Sequence, residues 1–376
     1  MRAAPSRAQT DSERLKILYI QPGTATFAGI ERVVDSISSS LAEDYSEDFD
    51  VDVLYVSVHS NRPAGREYTA IQHNVTGRIH LMWTIRRVVA RKHYDLVVVP
   101  QIEATVICMT SCIGLRRRFA LHLHGNPRFE RTHVKAKILF FLMKVFFLRR
   151  VTSIFGTSPR QLDAFKVMFN STRPQYWLPN PVRDFGPCHH EGNAVRDRVT
   201  FVNVGRFSYQ KGQDILLAAF FELRQRRPNV ALKIVGHGDG EDTLRAQISL
   251  LGLDDAVILE FHPNNPMPAL VSSDVYVSSS RWEGWSLAIC EALRFGLPVI
   301  SSDCEFGPSD ILIDERLGRL VPVDDIASLT EAMQYYCDHL SEELQHADFR
   351  RMFVDRFSED RVVSVHAEAL RNAATA

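Results

Sequence analysis

The sequence predicts an α/β protein of two doubly wound, Rossmann-like domains that face each other across a cleft. Three observations carry that prediction. The chain has 376 residues, too many for one ordinary core and suited to two. Short β-branched apolar runs recur along it, each followed by an amphipathic stretch, as expected of parallel strands buried on both faces and joined by crossover helices. Between the two sets lies "NPVRDFGPCHHEGNAVRD", 180–197, polar and strand-free with Pro and Gly, where a linker belongs.

In order, the strands of the first half are "LKILYI", "VDVLYVSV", "DLVVVP", "FALHLH" and "VTSIFGTS". Those of the second are "VTFVNVG", "ALKIVG", "AVILEF", "VYVSS", "LPVISSD" and "GRLVPV". The boundaries that follow are 1–183 for the first domain and 184–357 for the second. Residues 358–376 read as a helix capped by Ser358 that returns to the first domain.

Composition narrows the class. Hydrophobic residues make up 45% and charged ones 24%, ordinary for a globular protein. No apolar run reaches the roughly 20 residues of a membrane span. The opening "MRAAPSRAQTDSERLK" lacks the apolar core of a signal peptide and reads as a frayed tail. Cysteines 108, 112, 188, 290, 304 and 337 have neither metal-ligand spacing nor the density of a disulfide scaffold. A cytoplasmic, reduced protein is expected.

The net charge is −1, yet residues 1–190 hold 26 Lys/Arg against 16 Asp/Glu and the remainder 18 against 29. The basic excess gathers in 116–150, where ten Lys/Arg face the single acid Glu130. An anionic membrane surface or nucleic acid attracts such a patch. Nucleic acid is the weaker reading, because the patch has no aromatic platforms interleaved outside a helix. Within it, "VKAKILFFLMKVFFLRR", 134–150, is apolar nearly all round, with Lys137 and Lys144 in one polar strip. A buried crossover helix accounts for much of that apolar surface.

Open α/β sheets take ligands beyond the carboxyl ends of their strands. After the first strand of the second domain, Arg206 and Lys211 flank a loop that opens a helix, a setting for phosphate. After the next strand come Gly236, Gly238 and Gly240, whose spacing is not the dinucleotide fingerprint. Further on, "RWEGWSLAICE" places Glu283 in a loop and Glu291 about two turns into a helix, with Ser286 as its N-cap. Both acids can face one cleft, with the helix-start N–H groups between them. In the first domain Gly23 and Gly29 separate the first strand from its helix, and His122 and His124 share one face of "LHLHGNP". Asp50 and Asp52 have the Asp-x-Asp spacing of a metal motif, but they lie at a strand's amino end and read as a surface charge pair.

Together these stretches resemble a retaining glycosyltransferase of family GT4, built on the GT-B fold. The resemblance covers nearly the whole chain and is strongest over 199–323. Its marks are E-x7-E, here Glu283 to Glu291, with "VGRFSYQKG", "IVGHGDGE", "SSSRWEGWSLAICEAL" and "GLPVISSD". The resemblance implies an acceptor-binding first domain and a nucleotide-sugar-binding second one. By it, Arg206 and Lys211 would hold the donor diphosphate, helped by N–H groups near Ser286 and Leu287. Glu283 would contact the transferred sugar and Glu291 the ribose, with Gly236, Gly238 and Trp285 lining the donor site. Gly29 would approach the diphosphate from the first domain, and His124 would meet the sugar near its leaving bond. The family pattern has two glycines before "xER"; here the first is Ala28.

"SDCEFGPSDIL", 302–312, is similar to the corresponding segment of enzymes that use UDP-hexoses. The resemblance therefore implies a UDP-sugar donor, with GDP-mannose in reserve. It also implies a metal-independent reaction with no cofactor and a glycan or lipid-linked acceptor. Phe-rich basic helices at the place of 134–150 lie against membranes in related enzymes, which favours a peripheral position on the inner face. An epimerase-like isomerase of the same fold and a non-catalytic sugar-nucleotide binder are the other readings. Neither would need E-x7-E beside "GRFSYQKG" and His124.

Overall fold

The computed structural model describes residues 14–21, 29–57, 65–131, 133–186, 198–262 and 265–376. The amino tail, Gly23, Ala28 and the stretch 187–197 of the expected linker lie outside the described residues.

Two sheets organise the chain. The first contains β1 Leu15–Gln21, β2 Phe49–Tyr55, β3 Thr69–Gln72, β4 Leu96–Pro100, β5 Phe119–Leu123, β6 Val151–Gly156 and β7 Gln175–Trp177, in the order β3-β2-β1-β4-β5-β6-β7. The second contains β8 Val199–Val204, β9 Val230–Val235, β10 Val257–Glu260, β11 Val275–Ser278, β12 Val299–Ser302 and β13 Gly318–Val321, in the order β10-β9-β8-β11-β12-β13. The pairings are parallel, for instance Ile17 with Val51 and Leu96, and Phe201 with Leu232 and Val275. Parallel neighbours need crossover connections, and helices supply them on both faces. In each sheet the order reverses once, between β1 and β4 and between β8 and β11. These are the two places where a ligand crevice forms.

The eleven apolar runs read from the sequence correspond to strands. The two short edge strands, β3 and β7, were not anticipated. β3 has only four residues, three of them exposed, so no apolar run announces it, and β7 has three. Both sit where one flank is unpaired and burial is slight.

The helix Glu359–Thr375 lies on the first sheet. Its Val363, Ala367, Leu370 and Ala373 share a buried cluster with Ile17, Tyr19, Val51 and Val98, while Ser36 and Ser40 donate to Glu359 Oε1 at 2.6 and 2.7 Å. Ser358 occupies its N-cap, but the side chain makes no cap bond. The Val182 N–H donates to the Phe357 carbonyl at 2.8 Å, so the chain passes between the domains along two adjacent strands of backbone.

Asp52 corrects the expectation of a surface charge pair. It is buried, accepting from Lys92 Nζ at 3.1 Å and from the Tyr94 hydroxyl at 2.6 Å, while Asp50 meets the same Lys92 at 2.9 Å. A lysine and a tyrosine distant in sequence neutralise the motif.

The 134–150 segment is helical throughout, passing from an α-helix, Val134–Leu142, through a π turn to a 3₁₀ turn. Ala136, Phe140, Met143 and Phe147 are buried, while Val134, Ile138, Phe141, Val145 and Phe146 are exposed. One face is therefore the expected crossover packing. The other leaves an apolar stripe open to solvent. Among the described residues no helix is long and apolar enough to cross a membrane, and Cys108, Cys112, Cys290, Cys304 and Cys337 are free.

Leu370 is fully buried in the first domain's core. Leu370→Ala should lower stability by about 2–5 kcal/mol in chemical denaturation. A change under ~0.5 kcal/mol would mean that the terminal helix is not part of this core.

Candidate functional site

The second domain builds its half of the site on close backbone approaches. A Cβ on Gly236 would lie 1.9 Å from the Gly205 carbonyl oxygen, and one on Gly238 2.6 Å from that of Phe207. The two loops after β8 and β9 are thus packed backbone to backbone, with the Phe207 N–H donating to the His237 carbonyl at 2.9 Å. The space these glycines open is filled by the neighbouring loop. Phe207 is buried and anchors it, whereas Arg206 is exposed, its stem lying over Gly238.

Lys211 ends the short turn Tyr209–Lys211, and Gly212 follows at φ +61°. A Cβ on Gly212 would meet the Ser279 carbonyl oxygen at 2.1 Å, so only glycine lets this turn close on the end of β11. There Lys211 Nζ donates to Glu283 Oε1 at 2.6 Å, and the Ser280 hydroxyl donates to the same oxygen at 2.7 Å. The structure brings Lys211 and Glu283 together and leaves Arg206 apart from them.

The helix Leu287–Arg294 starts beside this pair. Ser286 takes the extended N-cap conformation, but its hydroxyl caps nothing. Trp285 is buried edge-on against Phe357 at 4.9 Å, and Leu287 packs against the cores of both domains. Glu291 is buried and accepts from Arg183 through Nε at 2.8 Å and Nη2 at 2.7 Å. Burial raises its pKa, while the charges of Arg183 and of Arg32, on the first helix, pull it back. The two acids of E-x7-E are therefore held by two different cations, one at each end of the loop and helix.

The first domain supplies three imidazoles. The His122 and His124 rings lie tilted at 40° with centroids 4.0 Å apart, and His366 of the terminal helix stands 5.9 Å from His122. Burial, reinforced by His366, pushes the His124 pKa down to about 3, and burial brings His366 to about 4. His122 is also held well below the ordinary range, first by burial and then by its two neighbours. All three are neutral near pH 7, and neither ring nitrogen of His124 has a hydrogen-bond partner. A neutral imidazole with free nitrogens can bond a hydroxyl without adding charge.

The halves interlock across the cleft. A Cβ on Gly284 would sit 2.0 Å from the His124 carbonyl oxygen. Phe129 stacks on Trp282 at 4.9 Å. Glu305 accepts from Asn126 at 2.9 Å and pairs with Arg128 at 2.7 Å, and Ser158 donates to Asp310 at 2.5 Å. Glu283 and His124 thereby come to one seam. Gly29 opens the first helix, exposed, with nothing within 4 Å of a would-be Cβ. Among the described residues no group of three or more His, Cys, Asp or Glu could hold a metal ion.

Sequence reading missed Arg183, Arg32, Gly284 and Glu305. Gly284 carried a signal, a lone glycine between an acid and a tryptophan. The two arginines and Glu305 carried none, because their partners are fixed only by the fold.

Residues 189–347 match the family described as "Glycosyl transferases group 1". An uncharacterised glycosyltransferase of Methanocaldococcus jannaschii is 30% identical over 232 residues, 59% of this chain and 57% of that one. The lipopolysaccharide 1,6-galactosyltransferase of Escherichia coli K12 is 30% identical over 155 residues, 40% and 42% of the respective chains. The chain thus spans about half the length of these curated relatives.

Among solved structures, sucrose-phosphate synthase from Thermosynechococcus elongatus superposes with TM-score 0.80 at 17% identity, over 95% of this chain and 98% of that one. Anabaena Alr3699/HepE, in complex with UDP and glucose, gives 0.78 at 19%, over 95% and 100%. The fold is that of the GT-B glycosyltransferases.

Keeping the three imidazoles neutral contributes stability that is complete above about pH 6.5 and is lost as pH falls toward their depressed folded-state values. In NMR titration, His122, His124 and His366 should show no titration midpoint between pH 8 and pH 5. A ring that titrates near 6.5 would not be buried as described.

Proposed function

We propose that the chain is a retaining glycosyltransferase that moves a hexose or N-acetylhexosamine from a UDP-sugar to a glycan or lipid-linked glycan, in cell-surface polysaccharide or glycolipid synthesis. The carrying observation is the seam at which Lys211–Glu283 of one sheet meets His124 of the other, at crevices of the kind that bind nucleotides. The group 1 family match over the second domain and the UDP and glucose bound by a structural neighbour support the reading.

In this reaction the anomeric C–O bond breaks and its electron pair stays on the diphosphate. The acceptor oxygen bonds the anomeric carbon on the same face, and its proton passes to the leaving phosphate. Lys211, whose ammonium has three donors, can hold Glu283 and a phosphate oxygen together. Arg206, free to swing from its exposed position, and the first-turn N–H groups of Leu287–Arg294 would meet the rest of the charge. Glu283 and His124 would orient the transferred hexose, and Glu291 the ribose. Gly29, Gly236, Gly238, Trp285 and Ser286 would shape the donor pocket, and this charge arrangement needs no metal. A mannosyltransferase using GDP-mannose is the second reading, supported by a relative, 33% identical over 152 residues, named GDP-mannose-dependent alpha-(1-6)-phosphatidylinositol monomannoside mannosyltransferase.

The exposed Val134, Ile138, Phe141, Val145 and Phe146, among the basic residues of 116–150, would rest on an anionic membrane at the cytoplasmic face.

UDP should raise the melting temperature more than GDP, and Lys211→Ala should abolish that rise; equal response to both nucleotides would remove the preference. With folding intact, His124→Ala and Glu283→Ala should each lose about two to three orders of magnitude in turnover. Near-normal rates in either would take that residue out of the site. The protein should sediment with vesicles containing phosphatidylglycerol at low salt, and Phe141→Glu with Phe146→Glu should release it. Failure of the wild type to sediment would end the membrane reading.

A further inference from the structure

Arg281 stands two residues before Glu283, yet among the described residues its guanidinium bonds neither Glu283 nor the Lys211 ammonium. Its side chain is only 9% exposed, a depth that arginine reaches only when paired. Its partners show what it does there.

Every carbonyl of the turn Tyr209–Lys211 is taken by the segment 279–281. Arg281 Nη1 donates to the Tyr209 carbonyl at 2.7 Å, and the Arg281 N–H to that of Gln210 at 2.8 Å. The Ser279 hydroxyl donates to the Lys211 carbonyl at 3.0 Å. Gln210 Nε2 returns a bond to the Trp282 carbonyl at 2.9 Å. The turn that aims Lys211 and the loop that carries Glu283 are thereby joined into one unit. Of the three carbonyl bonds, only the one to Tyr209 depends on a long side chain, which must itself be held in place.

Three groups hold it. Asp214, in the first turn of the helix Gln213–Arg226, accepts from Nη1 at 3.0 Å and from Nη2 at 2.7 Å. Asp324, just past β13, brings Oδ1 to 2.8 Å from Nε. The Tyr209 ring centroid lies 3.9 Å from the guanidinium carbon, within cation–π range. Asp324 does this from a left-handed backbone, at φ +58°, which is uncommon for a residue with a side chain. Both acids are about half-exposed, and ion pairs of that kind add little stability. A planar fork fixed from three directions sets geometry instead, and a lysine could not reproduce it.

We propose that Arg281 is a positioning residue: by anchoring the turn Tyr209–Lys211 it keeps the Lys211 ammonium on Glu283 and aimed at the donor diphosphate. The diphosphate part rests on the transferase reading; the hold on Lys211 does not, so the two can fail separately.

Acylation of lysines by N-succinimidyl acetate, followed residue by residue by mass spectrometry, reads the hold on Lys211. Lys92 and Lys233 are the references, both paired with acids and 33% and 18% exposed against 21% for Lys211. In Arg281→Ala the rate at Lys211, relative to both references, should rise about threefold or more. Asp214→Ala removes the two-pronged grip at a half-exposed position and should raise the ratio about twofold; it decides the matter if the Arg281 variant does not fold. In calorimetric titration UDP should bind Arg281→Ala about fivefold more weakly than wild type, or weaker still. An unchanged ratio in the deciding variant, whether all three lysines stay protected or all loosen together, would overturn the proposal. So would undiminished UDP binding by a folded Arg281→Ala. A wild type that binds no UDP would instead strike the transferase reading, and the acylation ratio would then decide whether Arg281 positions Lys211.

Discussion

Gly284 lies so near the His124 carbonyl that no side chain fits between them, and both halves of the site take their places from that approach. The loop 281–286 carries Glu283 at one flank and leads into the helix bearing Glu291 at the other. The segment 124–130 carries the imidazole of His124 and, behind Gly125, the carboxylate of Glu130. Holding these segments together brings Glu283 and the loop that follows His124 onto one seam. The stack of Phe129 on Trp282 seals the edge of it.

Electrostatics match that geometry. The first half of the chain is basic and the second acidic, and several charges meet between the halves. Arg128 pairs with Glu305, Arg160 approaches Asp310 at 3.4 Å, and Arg183 grips Glu291. In each case the cation comes from the basic half and the acid from the acidic one. Complementary surfaces of this kind set orientation more than they add stability. Among the described residues the remaining basic excess, around 134–150, forms no ion pair, and it lies beside the exposed apolar stripe.

Burial is used in opposite senses on the two sides. In the second domain the buried acids Glu283 and Glu291 each have a cation, Lys211 and Arg183. In the first domain the buried groups His122, His124 and Glu130 have none. Burial there neutralises the imidazoles and lifts the carboxyl toward neutrality. Ion-paired acids on one side of the seam thus face neutral imidazoles on the other.

The sequence by itself determined the two-sheet plan, since apolar runs with no polar alternation fit only strands covered on both faces. It also marked the loops after β8 and β11, because glycines, cations and acids cluster there at fixed spacing. Local pattern ended at that point. β3 and β7 stayed hidden, being too short and too exposed to show a hydrophobic period. Lys211 was legible as a cation at a strand end but not as the partner of Glu283, since the Gly212 turn that joins them closes only against Ser279. Asp52 looked like surface and proved buried, because Lys92 and Tyr94 come to it from another crossover. Arg183 on Glu291 and His366 near His122 are likewise pairings of residues far apart in the chain. Only tertiary structure decides these, because their energy depends on distance and burial, which no spacing along a sequence encodes.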